Sequence, residues 1–147
     1  MVVVNPKNWH WVEKNTIEWT KQYFETEFIP FVYDADKYVV EIVSIGDIKG
    51  DSNVSQRKGK VICYFDLKID FSVKVSTKDN EDDVIDFKLD IPEFMHDEDD
   101  FLIEYLELNK SHDSYKVLSE EFRPVFLKKL LKYQEDLIGS HSKEIQE

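Results

Sequence analysis

From Val61 to Val75 apolar residues fall on every second position: Val61, Cys63, Phe65, Leu67, Ile69, Phe71, Val73 and Val75. The intervening set holds Asp66, Lys68, Asp70, Ser72 and Lys74. A period of two sustained over this length predicts one long strand with a buried face and a wet face. That buried face needs a covering layer, which constrains everything else the chain can do. A second run follows an acidic turn at residues 78–83: Ile85, Phe87, Leu89 and Ile91 alternate with Asp86, Lys88 and Asp90 until Pro92. The two runs predict an antiparallel hairpin ended by the proline. Tyr38 to Ile48 is rich in Val and Ile and predicts a further strand of imperfect alternation, with Gly46 and Gly50 as bulge or turn points. Residues 101–108 fit either period, and their length favours a strand.

The covering layer comes from both ends. Asn15 as N-cap, Glu18 three residues on, and Ile17, Thr20, Phe24 and Phe28 along one face predict a helix ended by Pro30. Phe122, Phe126, Leu130, Tyr133 and Leu137, flanked by Leu127, Leu131 and Ile138, predict a second helix with Gly139 at its end. Pro124 sits in its first turn or kinks a longer helix that begins near Ser114. Strands in the middle and helices at both ends define an α+β fold, an antiparallel sheet with its apolar face covered by helices. With 147 residues, four glycines, four prolines and no linker-like stretch or repeat, the expectation is one domain over residues 1–147.

Charge and cysteine content narrow the class. A net charge of −12 disfavours nucleic acid and anionic membranes as partners, since both are polyanions. The single cysteine, Cys63, forms no intrachain disulfide, and neither a signal peptide nor a membrane-length apolar run is legible. A cytoplasmic protein is expected.

Catalytic signatures are poor. Cys63 lies on the apolar parity of the best strand and reads as an inert core thiol. His96 precedes Asp97, Glu98, Asp99 and Asp100, a set of hard ligands for a divalent cation; without the spaced acids of a calcium loop, it reads first as a solvated acidic loop. His112 and His141 lack partners at metal-ligand spacing, and neither a phosphate-binding glycine loop nor a serine elbow occurs. No metal, cofactor or enzymatic activity is expected; a small ligand- or metal-binding domain with an acidic site near His96 is the alternative reading.

Two clusters stand apart. Asn5-Pro6-Lys7-Asn8-Trp9-His10-Trp11 sets large aromatics and a histidine among amides before any periodic element begins. It is either a lid on the domain or an aromatic recognition arm. Gln56-Arg57-Lys58-Gly59-Lys60 concentrates cations in an otherwise acidic chain where a loop enters the long strand. Immediately after it, Ile62 and Tyr64 are the large apolar residues on the wet parity, and an exposed apolar spot rimmed by charge is how a protein interface looks.

With these clusters the chain resembles, over its whole length, the activators of the heat-shock protein 90 ATPase, the Aha-type co-chaperones. Residues 5–11 are similar to the family's Asn-x-Asn-Asn-Trp-His-Trp signature, with Lys7 in place of its second asparagine, and Arg57-Lys58-Gly59-Lys60 matches its basic loop. The resemblance implies an elongated domain of helix, four-stranded antiparallel sheet and long helix, with residues 101–108 as a strand, in a single-domain member of the family. It also implies a partner, the middle segment of heat-shock protein 90, whose ATPase the protein regulates, with the free protein a monomer. On that pattern Arg57, Lys58 and Lys60 engage the chaperone's catalytic loop, Asp51 pairs with a cation, and Ile62 and Tyr64 form the apolar contact, Tyr64 standing where larger relatives carry an aliphatic residue. Asn5, Asn8, Trp9, His10 and Trp11 would act on nucleotide handling.

Overall fold

The long alternating run is the central strand of the protein. A computed structural model describes residues 13–108 and 112–142, without the side chain of Glu81. In chain order it contains β1 (Glu13–Asn15), α1 (Ile17–Phe28), β2 (Phe31–Asp34), β3 (Tyr38–Arg57), β4 (Lys60–Thr77), β5 (Asn80–Met95), β6 (Glu104–Leu106) and α2 (Asp113–Val117). A π-helical turn over Leu118–Phe122 then leads into α3 (Arg123–Ser142). The antiparallel sheet has six strands rather than four: β3, β4, β5 and β6 follow one another, while β1 and β2 both pair with the outer edge of β3. These two strands have three and four residues, too short for periodicity to reveal. Within 101–108 only Glu104–Leu106 pairs, against Asp90–Lys88 of β5.

β3 runs on to Arg57, well beyond Ile48, and its imperfect alternation has a simple cause. Its register against β4 slips once between Ile42 and Ser44 and again between Ile45 and Ile48. A single extra residue turns the following side chains to the other face, and a second turns them back. Val40 and Ile42 are buried, Ile45 packs against the core from the opposite parity, and Ile48, Ser52 and Val54 are buried again. Gly50, at φ 118°, lies so close to the Asp66 carbonyl that a Cβ would collide with it. β5 likewise continues past Pro92, because Leu67 pairs with Phe94 and Ile69 with Ile91, leaving an extra residue in the bulge where the proline's missing N–H costs nothing.

The first helix starts one residue later than its expected cap implies, and the helix at the carboxyl end takes the longer of its two expected forms. Asn15 ends β1, and its side chain accepts the Ile17 N–H at 2.9 Å while Thr16 occupies the cap position. The helical stretch at the carboxyl end begins at Asp113, with His112 accepting the Ser114 N–H, and the π-helical turn immediately precedes Pro124. A widened turn gives the proline ring room that a regular α-helical turn before it would deny. Gly139 lies inside α3, because Leu137 and His141 on either side of it are buried and hold the last turns to the core.

Phe24, Phe65, Phe94 and Tyr133 form the aromatic centre, with Tyr133 at 4.9 Å from Phe65 and 5.4 Å from Phe24. The Tyr133 hydroxyl ends in a buried polar node: it lies 2.6 Å from Thr20 Oγ1 and 2.8 Å from Ser52 Oγ, and Thr16 Oγ1 lies 2.8 Å from Ser52 Oγ. The node ties α1, β3 and α3 together. Burial pushes the Tyr133 phenol up to about 12, against the pull of its Ser52 and Thr20 bonds, and burial pushes Tyr105 up to about 12 as well. Tyr23 is raised too, by burial first and then by its bond to Asp136. A phenol raised on folding contributes stability that is complete below its ordinary pKa near 10 and is lost as pH rises through its folded value. The protein should therefore lose stability progressively between about pH 10 and 12, read as a falling urea midpoint on alkaline titration. Tyr133→Phe should lower stability by about 1–2 kcal/mol in urea unfolding, the cost of one buried hydroxyl withdrawn from a network.

Candidate functional site

The basic cluster is the tip of the β3–β4 hairpin. Arg57 pairs with Lys60, leaving Lys58 (φ 54°) and Gly59 (φ 80°) as a two-residue turn with both residues left-handed. This geometry matches the twist of the strands it joins, and Gly59 adopts it without strain while Lys58 does not. Register then fixes the face. Opposite partners are Arg57 and Lys60, Ser55 and Ile62, Asn53 and Tyr64, and Asp51 and Asp66. All of these lie on the parity opposite to buried Ser52, Val54, Phe65 and Leu67, so they share the outer face of the sheet. Five of the six residues expected at the contact thus line one strip, with Lys58 at its apex.

The strip has a graded chemistry: cations at the tip, an apolar pair next, acids beyond. Ile62 and Tyr64 are each 43% exposed, so neither belongs to the core. Lys21, Lys49, Lys78, Lys129 and Arg123 have carboxylate partners within 4 Å, whereas among the described residues Arg57, Lys58 and Lys60 have no such ion pair. Asp51 faces Asp66 directly across the strands. Like charges so placed repel, and a cation brought by a partner relieves both.

Three residues in or beside this strip were not legible as such in the sequence. Asn53 and Ser55 fill it between Asp51 and the tip, which follows only once β3 is known to continue past Ile48. His96 stands beside it, its ring centroid 5.0 Å from that of Tyr64. Its Nδ1 lies 3.2 Å from the Phe65 amide nitrogen and 3.1 Å from the Phe65 carbonyl oxygen, completing the β4 ladder where β5 ends. Two of the four acids after it are engaged elsewhere: Asp97 with Gln134, and Asp100 with Arg123, whose bond holds the Asp100 carboxyl below its ordinary value. Among the described residues, no group of three His, Cys, Asp or Glu side chains is arranged to hold a metal, so the alternative reading of His96 has no support.

Cys63 is only partly buried, at the edge of the core rather than inside it. Burial, with a smaller contribution from Asp97, pushes its thiol up to about 11, which keeps the nucleophilic thiolate scarce. Asn5, Asn8, Trp9, His10 and Trp11 lie outside the described residues. Among the described residues, no helix is long and apolar enough to cross a membrane.

The fold recurs in a crystal structure of Aha-1 from Plasmodium falciparum, which superposes with a TM-score of 0.74 over 90% of this chain and 91% of that one, at 22% identity. The sequence goes further. Residues 13–141 match the family described as activator of Hsp90 ATPase, N-terminal. The chain is 49% identical to the Hsp90 co-chaperone HCH1 of Saccharomyces cerevisiae, over 99% of both chains. It is 34% identical to the Hsp90 co-chaperone AHA1 of the same yeast, over 99% of this chain and 44% of that protein. This protein belongs to the family of activators of the Hsp90 ATPase.

The turn geometry gives a direct check. Asn takes a left-handed conformation more readily than Lys, so Lys58→Asn should hold or raise stability by a few tenths of a kcal/mol. Gly59→Val should lower it by about 1 kcal/mol or more, both read from urea midpoints.

Proposed function

We propose that this protein is a co-chaperone that binds the middle segment of the Hsp90 chaperone through the β3–β4 hairpin and modulates its ATPase cycle without hydrolysing ATP itself. The observation that carries the reading is the single outer strip in which Arg57, Lys60, Ile62, Tyr64 and Asp51 align beneath the Lys58 apex. Full-length similarity to a protein named as an Hsp90 co-chaperone supports it. In this reading the tip cations meet the chaperone's catalytic loop, Ile62 and Tyr64 anchor the complex, and Asp51 takes a cation. The free protein is a monomer and works in the cytoplasm with its partner.

Regulation needs no catalytic group here. A protein that prefers the hydrolysis-competent arrangement of the chaperone by about 1.4 kcal/mol shifts that equilibrium tenfold. Asn5, Asn8, Trp9, His10 and Trp11 act in this reading on nucleotide handling rather than on anchoring.

Calorimetry and a coupled ATPase assay with full-length Hsp90 test the proposal, with a chaperone-specific inhibitor defining background. Arg57→Asp with Lys58→Asp should abolish stimulation and weaken binding far more than Lys74→Asp, which reverses a cation on the same face of β4 away from the tip. Ile62→Ala with Tyr64→Ala should cost a few kcal/mol of binding, about the range of anchor residues, with the melting temperature retained. Equal losses at the tip and at Lys74, or inhibitor-resistant ATP hydrolysis proportional to this protein, would refute the reading.

A further inference from the structure

A second preformed surface lies round the end of the sheet, where the segment from Met95 to Phe101 faces α3. It is a groove of about 270 Å³ with Phe65, Phe101, Leu130, Leu131 and Ile138 as its floor. Its rim carries the carboxylates of Asp97, Glu98 and Glu135, and among the described residues no Lys or Arg lines it. The groove is braced at both ends. Gln134 on α3 accepts the Asp97 N–H at 2.7 Å and donates to the Asp97 carboxylate at 2.8 Å, holding Asp97 in its left-handed conformation at φ 62°. Arg123 donates to Asp100 at 2.9 Å and to the Phe101 carbonyl at 2.8 Å. Walls fixed in this way need little ordering when an occupant enters.

Position and charge together indicate the occupant. Asp97, which lines the groove, follows His96, whose ring lies tilted against that of Tyr64 at 5.0 Å, so one end of the groove is a residue away from the hairpin strip. A stable protein interface engages about 20 residues on each side, and the hairpin strip alone supplies only a part of that. An apolar floor whose charged lining is acidic throughout complements a basic segment that carries a large apolar side chain.

We infer that the groove is a second docking site for the same chaperone, taking a basic segment whose aliphatic or aromatic side chain seats on Phe65, Phe101 and Leu131 while its Lys or Arg neighbours meet Asp97, Glu98 and Glu135. This inference rests on the reading of the hairpin as a chaperone contact.

The test uses the full chain and full-length Hsp90 in calorimetry at low and high salt. Glu98→Lys with Glu135→Lys should weaken binding about tenfold or more at low salt and flatten its salt dependence, with the melting temperature unchanged. Should charge reversal disturb folding, Glu98→Gln with Glu135→Gln should give a smaller loss in the same direction. Wild-type affinity in the folded rim variants, with binding lost in Arg57→Asp/Lys58→Asp, would overturn the groove site and leave the hairpin contact standing. Wild-type affinity in the hairpin variant would overturn both. Self-association of the wild-type chain by sedimentation, abolished in the rim variants, would assign the groove to a second copy of this chain and overturn the inference.

Discussion

The register between β3 and β4 is the constraint on which the remainder depends. Those strands pair from Tyr38 against Thr77 to Arg57 against Lys60, and one face of the pair is the floor of the core. A slip by one residue would turn Phe65, Leu67 and Ile69 outward and bury Lys60, Asp66 and Lys68. The apolar parity of β4 thus does two things at once: it anchors the core and keeps Ile62, Tyr64 and the tip cations on the outside. The two bulges in β3 belong to the same device, since only a pair of them lets the strand bend and still return Ser52 and Val54 to the inner face.

Ser52 connects that register to the helices. Its backbone carbonyl accepts the Thr16 N–H at 2.7 Å, and its hydroxyl meets Thr16, Thr20 and Tyr133. Asp51 and Asn53, its neighbours in sequence, are members of the outer strip, so the node fixes the backbone from which they project. Tyr133 reaches the node from α3, the helix that also carries Gln134 and Leu131 to the groove. Hairpin strip and groove are therefore held by one rigid core, and a partner that spans them meets surfaces in a fixed relation. This is favourable for affinity, because little conformational freedom is lost on binding.

Much of this was legible in the amino-acid order because β4 and the first half of β5 alternate strictly and α3 repeats its aromatic and leucine positions along one face. The α+β class and the composition of the core follow from those patterns alone. The extent of β3 was not legible, since its bulges break the period of two that marks a strand. β1 and β2 are too short to carry a pattern, and the π-helical turn before Pro124 answers a local clash that periodicity does not record. At the site, the basic tip and the Ile62–Tyr64 pair were visible as exceptions to their surroundings. Asn53, Ser55 and the packing of His96 on Tyr64 were not, because each follows from pairing across strands rather than from order along the chain. His96 with its acidic neighbours read first as a solvated loop and only second as a cation site, and in three dimensions the ring finishes a ladder while two of the acids brace a loop.

The central claim is that the outer strip at the β3–β4 hairpin end is the surface that meets Hsp90. Photo-crosslinking tests it most directly, with a photoreactive amino acid placed singly at Ser55, within the strip, or at Val84, which is 40% exposed on the same outer sheet face away from the tip. With full-length Hsp90, the account predicts strong crosslinks from Ser55, mapping to the chaperone's middle segment, and background levels from Val84. Crosslinks from Val84 with none from Ser55 would contradict it.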